Sequence, residues 1–161
     1  MIYTLTVNPA LDYVLILPQL LQGEVNRTDV YDFQLGGKGI TVSRVLNELK
    51  VENLAFGYEG GFVGREILNQ LTKLNVRHDF VVLKENSRIN VNLKTTTETA
   101  INTAGPNVPD FKISELKQKF KRVGPNDYVV MSGSLSKNMP ADFYQQMMEL
   151  LEPTGAKIVI D

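Results

Sequence analysis

The chain has 161 residues, 43% of them hydrophobic and 22% charged, with a formal net charge of −1. That length holds one α/β domain and little more, and the balanced charge offers no global field for nucleic acid or an anionic membrane. With no Cys and a single His, His78, disulfides, thiolate chemistry and His-cluster metal sites are excluded, and the composition is that expected of a cytoplasmic protein.

Met1 to Val7 is β-rich, without the basic start or apolar run of a signal peptide. No window approaches the ~18 apolar residues of a membrane span. Asn8-Pro9 predicts a turn. Asp12 to Leu17 and Asp29 to Leu35 read as short strands. Gly36-Gly37-Lys38-Gly39 opens a helix over about residues 38 to 50, marked by Val42, Val45, Leu46 and Leu49. Leu54 to Tyr58 is a strand, followed by a Gly-rich turn at Gly60, Gly61 and Gly64. A helix through Ile67, Leu68, Leu71 and Leu74 comes next.

Phe80 to Leu83 is strand-like. Arg88 to Thr95 and Glu98 to Thr103 alternate apolar and polar residues, the pattern of a half-buried antiparallel hairpin. Ile113, Leu116 and Phe120 mark a helix that ends near Gly124-Pro125. Its Lys117, Lys119, Lys121 and Arg122 read as a solvated face, with no nucleic-acid role. Tyr128 to Met131 is a buried strand, and Phe143, Met147, Leu150 and Leu151 mark the last helix. Ala156 to Asp161 reads as a buried parallel strand. A domain rarely closes on such a strand, so the chain is expected to be a fragment.

The core order β–α–β–α, then β–α–β, implies a mostly parallel sheet covered by helices. The strands near 13–17, 29–35, 88–95 and 98–103 do not fit that core and predict a separate small sheet. Ligands of open parallel sheets bind beyond the carboxyl ends of the strands. Asn8 to Asp12, Gly36 to Gly39 and Ser132-Gly133-Ser134 are expected at that edge.

Gly36-Gly37-Lys38-Gly39 combines close backbone approach, a helix N-terminus and a cation, which suits a phosphate. It is neither a Walker A loop nor a dinucleotide fingerprint, and a ligand-free helix entry would read the same. Asp12, expected just after a turn, offers a carboxylate to neighbouring sugar hydroxyls, or caps the turn. Arg88 and Asn90 share one strand face; Arg suits phosphate, though a solvated face has the same pattern. Ser134 offers a hydroxyl or simply belongs to a strand-to-helix turn.

Together these segments resemble one family. Thr6-Val7-Asn8-Pro9-Ala10-Leu11-Asp12 is similar to the opening of bacterial 1-phosphofructokinases and tagatose-6-phosphate kinases, members of the PfkB, ribokinase-like carbohydrate kinases. Gly23-Glu24-Val25-Asn26-Arg27, Gly36-Gly37-Lys38-Gly39-Ile40, Arg44-Val45-Leu46, Arg88-Ile89-Asn90-Val91, Gly105-Pro106 and Ser132-Gly133-Ser134-Leu135 follow in the family's order. The resemblance covers essentially the whole chain. It implies a three-layer α/β/α fold with a small β-sheet lid, and in many members the lid is also the dimer contact. It implies transfer of the ATP γ-phosphoryl group to a sugar hydroxyl with Mg²⁺, here on fructose 1-phosphate, with tagatose 6-phosphate as the alternative.

Residue by residue, the resemblance places Asp12 on sugar hydroxyls and Gly37 and Lys38 around the sugar phosphate. Arg88 and Asn90 reach from the lid, and Ser134 closes the site. Gly39 and Thr41 flank it, and Arg27 is a lid residue for its own or a neighbouring subunit's site. Thr41 stands where the family has Asn, which loses an amide's reach and two donors. Ser136-Lys137-Asn138 replaces a Pro-containing, Gly-ended loop, a turn that Asn tolerates. The family's Gly-Ala-Gly-Asp motif, with its catalytic base and anion hole, is absent from this chain. The base and the ATP site are therefore expected beyond Asp161, and the fragment alone is expected to be inactive. A non-catalytic piece that binds sugar phosphate, or dimerises through the lid, is the reading of another class.

Overall fold

The computed structural model describes residues 1–161. Nine strands and four α-helices follow one another along the chain. They are β1 (Ile2–Thr6), β2 (Ala10–Ile16), β3 (Tyr31–Gly36), α1 (Lys38–Glu48), β4 (Asn53–Gly60), α2 (Gly61–Lys73), β5 (Val81–Leu83), β6 (Arg88–Lys94) and β7 (Glu98–Ile101). Then come α3 (Asp110–Lys119), β8 (Tyr128–Met131), α4 (Phe143–Leu151) and β9 (Lys157–Ile160). No helix is long and apolar enough to cross a membrane.

The main sheet has the order β5-β4-β1-β8-β9, and every pairing in it is parallel. Strand alternation divides its side chains between two apolar layers. Tyr3, Leu5, Leu54, Phe56 and Tyr58 point into one, with Leu116 and Phe120 from the α3 region and Phe143, Met147 and Leu151 of α4. Ala55 faces the other, where Ile40 of α1 and Val63, Ile67 and Leu71 of α2 close the opposite face. A side chain such as Phe56, fully buried here, contributes roughly 1.5–3 kcal/mol through burial alone. On the α1 side a buried bond of 2.6 Å joins the Thr4 and Ser43 hydroxyls, tying β1 to its helix.

The strands expected outside the parallel core form a second sheet of order β3-β2-β6-β7. β2–β3 and β6–β7 are antiparallel, and β2–β6 is parallel. Leu11 and Leu35 of this sheet pack into the α1/α2 layer, so it is anchored at the end where β2 and β3 meet the core.

Several details differ from the sequence reading. Asp12 lies inside β2 and not at a turn, because β2 starts at Ala10 directly after Pro9. The Gly60/Gly61/Gly64 segment is no loop: β4 ends at Gly60 and α2 begins at Gly61, whose φ is +61°. β9 is parallel to β8 but is an edge strand, with Val159 and Ile160 47% and 46% exposed. Apolar composition shows what a strand favours, but not whether a neighbour covers it. The basic run is also not a free solvated face. Lys117 donates to the Gln146 side chain at 2.7 Å, Lys119 pairs with Asp79 at 2.5 Å, and Arg122 reaches Asp79 and the Phe56 ring. Asn138 takes the left-handed conformation expected of it, φ 58°, and clamps Val108 through both its amide atoms.

Candidate functional site

Five separate stretches of chain converge on one polar cleft of about 320 Å³. It is lined by eleven residues, none hydrophobic: Thr6, Asn8, Asp12, Gly36, Gly37, Lys38, Arg88, Asn90, Asn102, Gly133 and Ser134. Six of the residues singled out from sequence are therefore together: Asp12, Gly37, Lys38, Arg88, Asn90 and Ser134. The topology accounts for this. β1 and β8 deliver Thr6, Asn8 and the Gly133-Ser134 turn at their carboxyl ends, where parallel sheets hold ligands. The second sheet brings Asp12 and Asn90 over the same edge as register partners of β2 and β6.

The Asn90 amide donates to Asp12 Oδ1 at 2.7 Å. This fixes the carboxylate and leaves its second oxygen as an acceptor. Gly36 is required beside it: a Cβ there would stand 2.7 Å from Asp12 Oδ2. Gly37 precedes α1 with φ 124°, a backbone that L side chains rarely adopt. The first-turn N–H groups of α1 have no partners within the helix and carry its partial positive charge.

Arg88 is half-buried. Its Nε donates to the Asn8 carbonyl at 3.2 Å and Nη1 to the Thr103 carbonyl at 3.4 Å. Burial lowers its pKa, and the Asp12 charge opposes that shift; the guanidinium remains a cation at neutral pH. Lys38 is exposed and pairs with Asp161 at 2.7 Å, an exposed contact that an incoming anion can displace at little cost. Within the cleft, two cations face one carboxylate.

Buried polar atoms without partners gather here as well. Thr6 Oγ1 and Asn8 Oδ1 belong to lining residues, and Ser132 Oγ lies at the adjoining turn. Such atoms are rare in folded proteins unless water or a ligand satisfies them.

Three residues considered from sequence lie elsewhere. Thr41 turns its hydroxyl back to the Gly37 carbonyl at 3.2 Å. Gly39 is buried, facing Thr6 and the Leu5 carbonyl, where it lets α1 approach β1. Arg27 is exposed in the β2–β3 connection. Conversely, sequence reading assigned no individual role to the cleft residues Thr6 and Asn102, placed Asn8 only within a turn at the ligand edge, and did not single out Tyr144, which lies behind the cleft. Asn8 belongs to the family-like segment that opens at Thr6, and its amide donates to the Leu135 carbonyl at 3.0 Å, bracing the Ser134 turn. Tyr144 donates to the Gly133 carbonyl at 2.9 Å, and burial pushes its hydroxyl up to about 12. Thr6 lies in the same family-like segment, whereas no motif marks Asn102 or Tyr144.

The chain is 37% identical over 161 residues to the 1-phosphofructokinase of Bacillus subtilis, covering all of this chain and 53% of that protein. It is equally 37% identical to the D-tagatose-1-phosphate kinase of Bacillus licheniformis, again covering all of this chain and 53% of the relative. Among solved structures it matches Escherichia coli phosphofructokinase-2 in complex with fructose-6-phosphate, at 25% identity and a TM-score of 0.92, over 99% of this chain and 54% of that one. It thus spans about half the length of the curated relatives it matches. The family model for pfkB family carbohydrate kinases matches residues 4–161, and the chain belongs to that family.

Proposed function

We propose that this chain provides the acceptor side of an ATP-dependent sugar-phosphate kinase, with fructose 1-phosphate as the preferred acceptor, converted to fructose 1,6-bisphosphate. One observation carries the reading: residues from five stretches of chain make a single cleft that has no hydrophobic residue, is net cationic and is set at the carboxyl edge of a parallel sheet. Asp12, oriented by Asn90, accepts hydrogen bonds from sugar hydroxyls. Arg88 and Lys38, with the first amides of α1 at Gly37, hold the phosphate that the substrate already carries. Ser134 contributes a hydroxyl at the sheet edge. Fixing both ends of the sugar orients the free hydroxyl, and positioning is a large part of what a phosphoryl-transfer enzyme contributes.

ATP and Mg²⁺ are implied by the family. ATP supplies the transferred phosphoryl group and Mg²⁺ its charge neutralisation. Residues 1–161 contain no group of three acidic or His side chains suited to a metal ion, so none of them is assigned as a ligand. The relatives' names favour a ketohexose carrying its phosphate at carbon 1. Tagatose 1-phosphate is therefore the near competitor, beside the tagatose 6-phosphate raised by the motif resemblance. It differs from fructose 1-phosphate at one hydroxyl-bearing carbon, the type of group that Asp12 and Asn90 would read.

A second reading is favoured by the half-length match: the chain alone binds sugar phosphate without turnover and pairs through its second sheet. In that sheet Tyr31 is 60% exposed and lies edge-on to Tyr13 at 5.9 Å. Such an aromatic patch suits a homodimer contact through the lid.

Calorimetric titration of the chain with fructose 1-phosphate, tagatose 1-phosphate, tagatose 6-phosphate and fructose 6-phosphate tests the assignment. Fructose 1-phosphate should bind most tightly. Binding of none of the four would overturn the acceptor reading. A coupled ATP assay on the chain alone should give no turnover above blank, whereas an enzyme carrying the full family length should turn over its preferred sugar.

A further inference from the structure

A second cleft, of about 500 Å³, lies between β3 and the helices α1 and α2. It shares no residue with the polar cleft described above. Arg44 of α1 and Lys73 in the last turn of α2 both line it, and neither has a carboxylate within ion-pair distance. Arg44 Nε is buried and has no hydrogen-bond partner. An unsatisfied buried donor costs about 1–3 kcal/mol, more when charged, so the Arg44 guanidinium is held at the cleft wall with no protein acceptor to offset its burial.

The nearby acids are already engaged. Asp32 accepts from its neighbour's Phe33 N–H at 2.8 Å and from the Gln34 amide at 3.1 Å. Glu66, one turn before Gln70, accepts from Asn69 and Gln70, each at 3.1 Å. Asp32 lines the same cleft and Glu66 feels the Lys73 charge, but both carboxylates are committed to these local hydrogen bonds, and neither forms an ion pair with Arg44 or Lys73. The opposite wall contains Phe33, 46% exposed, which offers apolar surface to an organic group. The volume falls in the ~300–1,000 Å³ range of small-molecule sites, well above the needs of a lone inorganic anion.

We propose that this cleft is a second anion site, which holds the phosphate group of a small phosphorylated ligand between the Arg44 fork and Lys73, with the ligand's organic part against Phe33. The guanidinium matches two phosphate oxygens at once, and Lys73 adds a point charge. The proposal does not depend on the sugar-phosphate reading of the first cleft, because the two sites share no residue.

The test is a titration of the ¹⁵N-labelled 161-residue chain with phenyl phosphate, followed by amide chemical shifts, with inorganic phosphate as a parallel arm. Two sets of shifts are expected, one at Gly36 to Lys38 and one at Asp32 to Leu35 and Gln70 to Leu74. Arg44→Ala and Lys73→Ala should each weaken the second set about 10-fold or more, as for loss of a charge-assisted contact, and leave the first set unchanged. Arg44→Lys should fall between. Phenyl phosphate should bind more tightly than phosphate at the second set only. If Arg44→Ala does not fold, the exposed Lys73 carries the test alone. No shifts at the second set, or shifts indifferent to both substitutions, overturn the proposal. So does a change of oligomeric state on Arg44→Ala without loss of phosphate binding, which would make Arg44 an interface residue.

Discussion

Asn90 donates its side-chain amide to Asp12 across the parallel β2–β6 register, at 2.7 Å. The pair joins two strands whose sequence positions are far apart and aims one carboxylate at the candidate acceptor cleft. Asn90→Asp would set a second carboxylate against the first, and two carboxylates at that distance cannot both ionise freely. Binding of fructose 1-phosphate should weaken about 10-fold or more, the scale for loss of a charge-assisted hydrogen bond. Asn90→Ala should weaken it less, because Asp12 keeps its charge and loses only its orientation. Calorimetry of both variants checks the order; equal affinity in wild type and Asn90→Asp would remove Asp12 from the site.

Gly36 isolates the same carboxylate from the other side. A methyl there would meet all three terminal atoms of Asp12 at 2.7–2.9 Å. Those atoms are the end of a side chain that can rotate, so Gly36→Ala should leave the fold largely intact while turning Asp12 away from Asn90. The expected result is a nearly unchanged melting temperature with sugar-phosphate affinity reduced about as much as by Asp12→Ala. A variant that loses stability and affinity together would mean that the backbone, and not Asp12, absorbs the clash.

The order of strands and helices was legible because periodicity and punctuation act locally. Val42, Val45, Leu46 and Leu49 mark a helix by their spacing, and the alternation of Ile89, Val91 and Leu93 marks a strand. Six of the cleft residues were legible through motif resemblance. What was not legible is non-local. Arg88 bonds the carbonyl of Asn8, eighty positions away in the chain, and no window of sequence contains that contact. Thr6 and Asn102 are ordinary polar residues at a strand end and in a loop, and become cleft residues only when two sheets meet. Lys119 and Arg122 read as solvated because their partner, Asp79, comes from the segment before β5. Thr41 stands at a family position, yet its hydroxyl is spent on its own helix turn.

Lys38 and Arg88 supply the two cations of the cleft, but their replacement should affect stability differently. Lys38 is exposed, with one surface ion pair, so Lys38→Ala should change stability by less than ~0.5 kcal/mol. Arg88→Ala leaves the Asn8 and Thr103 carbonyls without their guanidinium donor and should cost about 1–3 kcal/mol. Both should weaken binding of the sugar phosphate, and in an enzyme of full family length they should weaken it more than binding of ATP. Urea unfolding together with titrations of both ligands checks this. Equal losses for the two ligands would argue against placing the acceptor phosphate between these residues.

Tyr144 gives a pH-dependent prediction. Its hydroxyl donates to the carbonyl of Gly133, a cleft residue, and burial holds its pKa at about 12, above the ordinary value near 10. The folded state therefore keeps a proton that the unfolded chain gives up first. The resulting stability is complete below pH ~10 and is lost as pH rises from there towards 12. Burial raises Tyr3 and Tyr58 in the same direction, so wild type should lose stability steeply over this window. Tyr144→Phe cannot ionise and should fall less steeply, while starting lower at neutral pH because the Gly133 carbonyl has lost its donor. That loss should also loosen the Ser134 turn and weaken sugar-phosphate binding modestly at pH 7. Urea unfolding of both proteins from pH 8 to 12 is the measurement. Parallel curves for wild type and Tyr144→Phe would show that Tyr144 does not keep its proton in the fold.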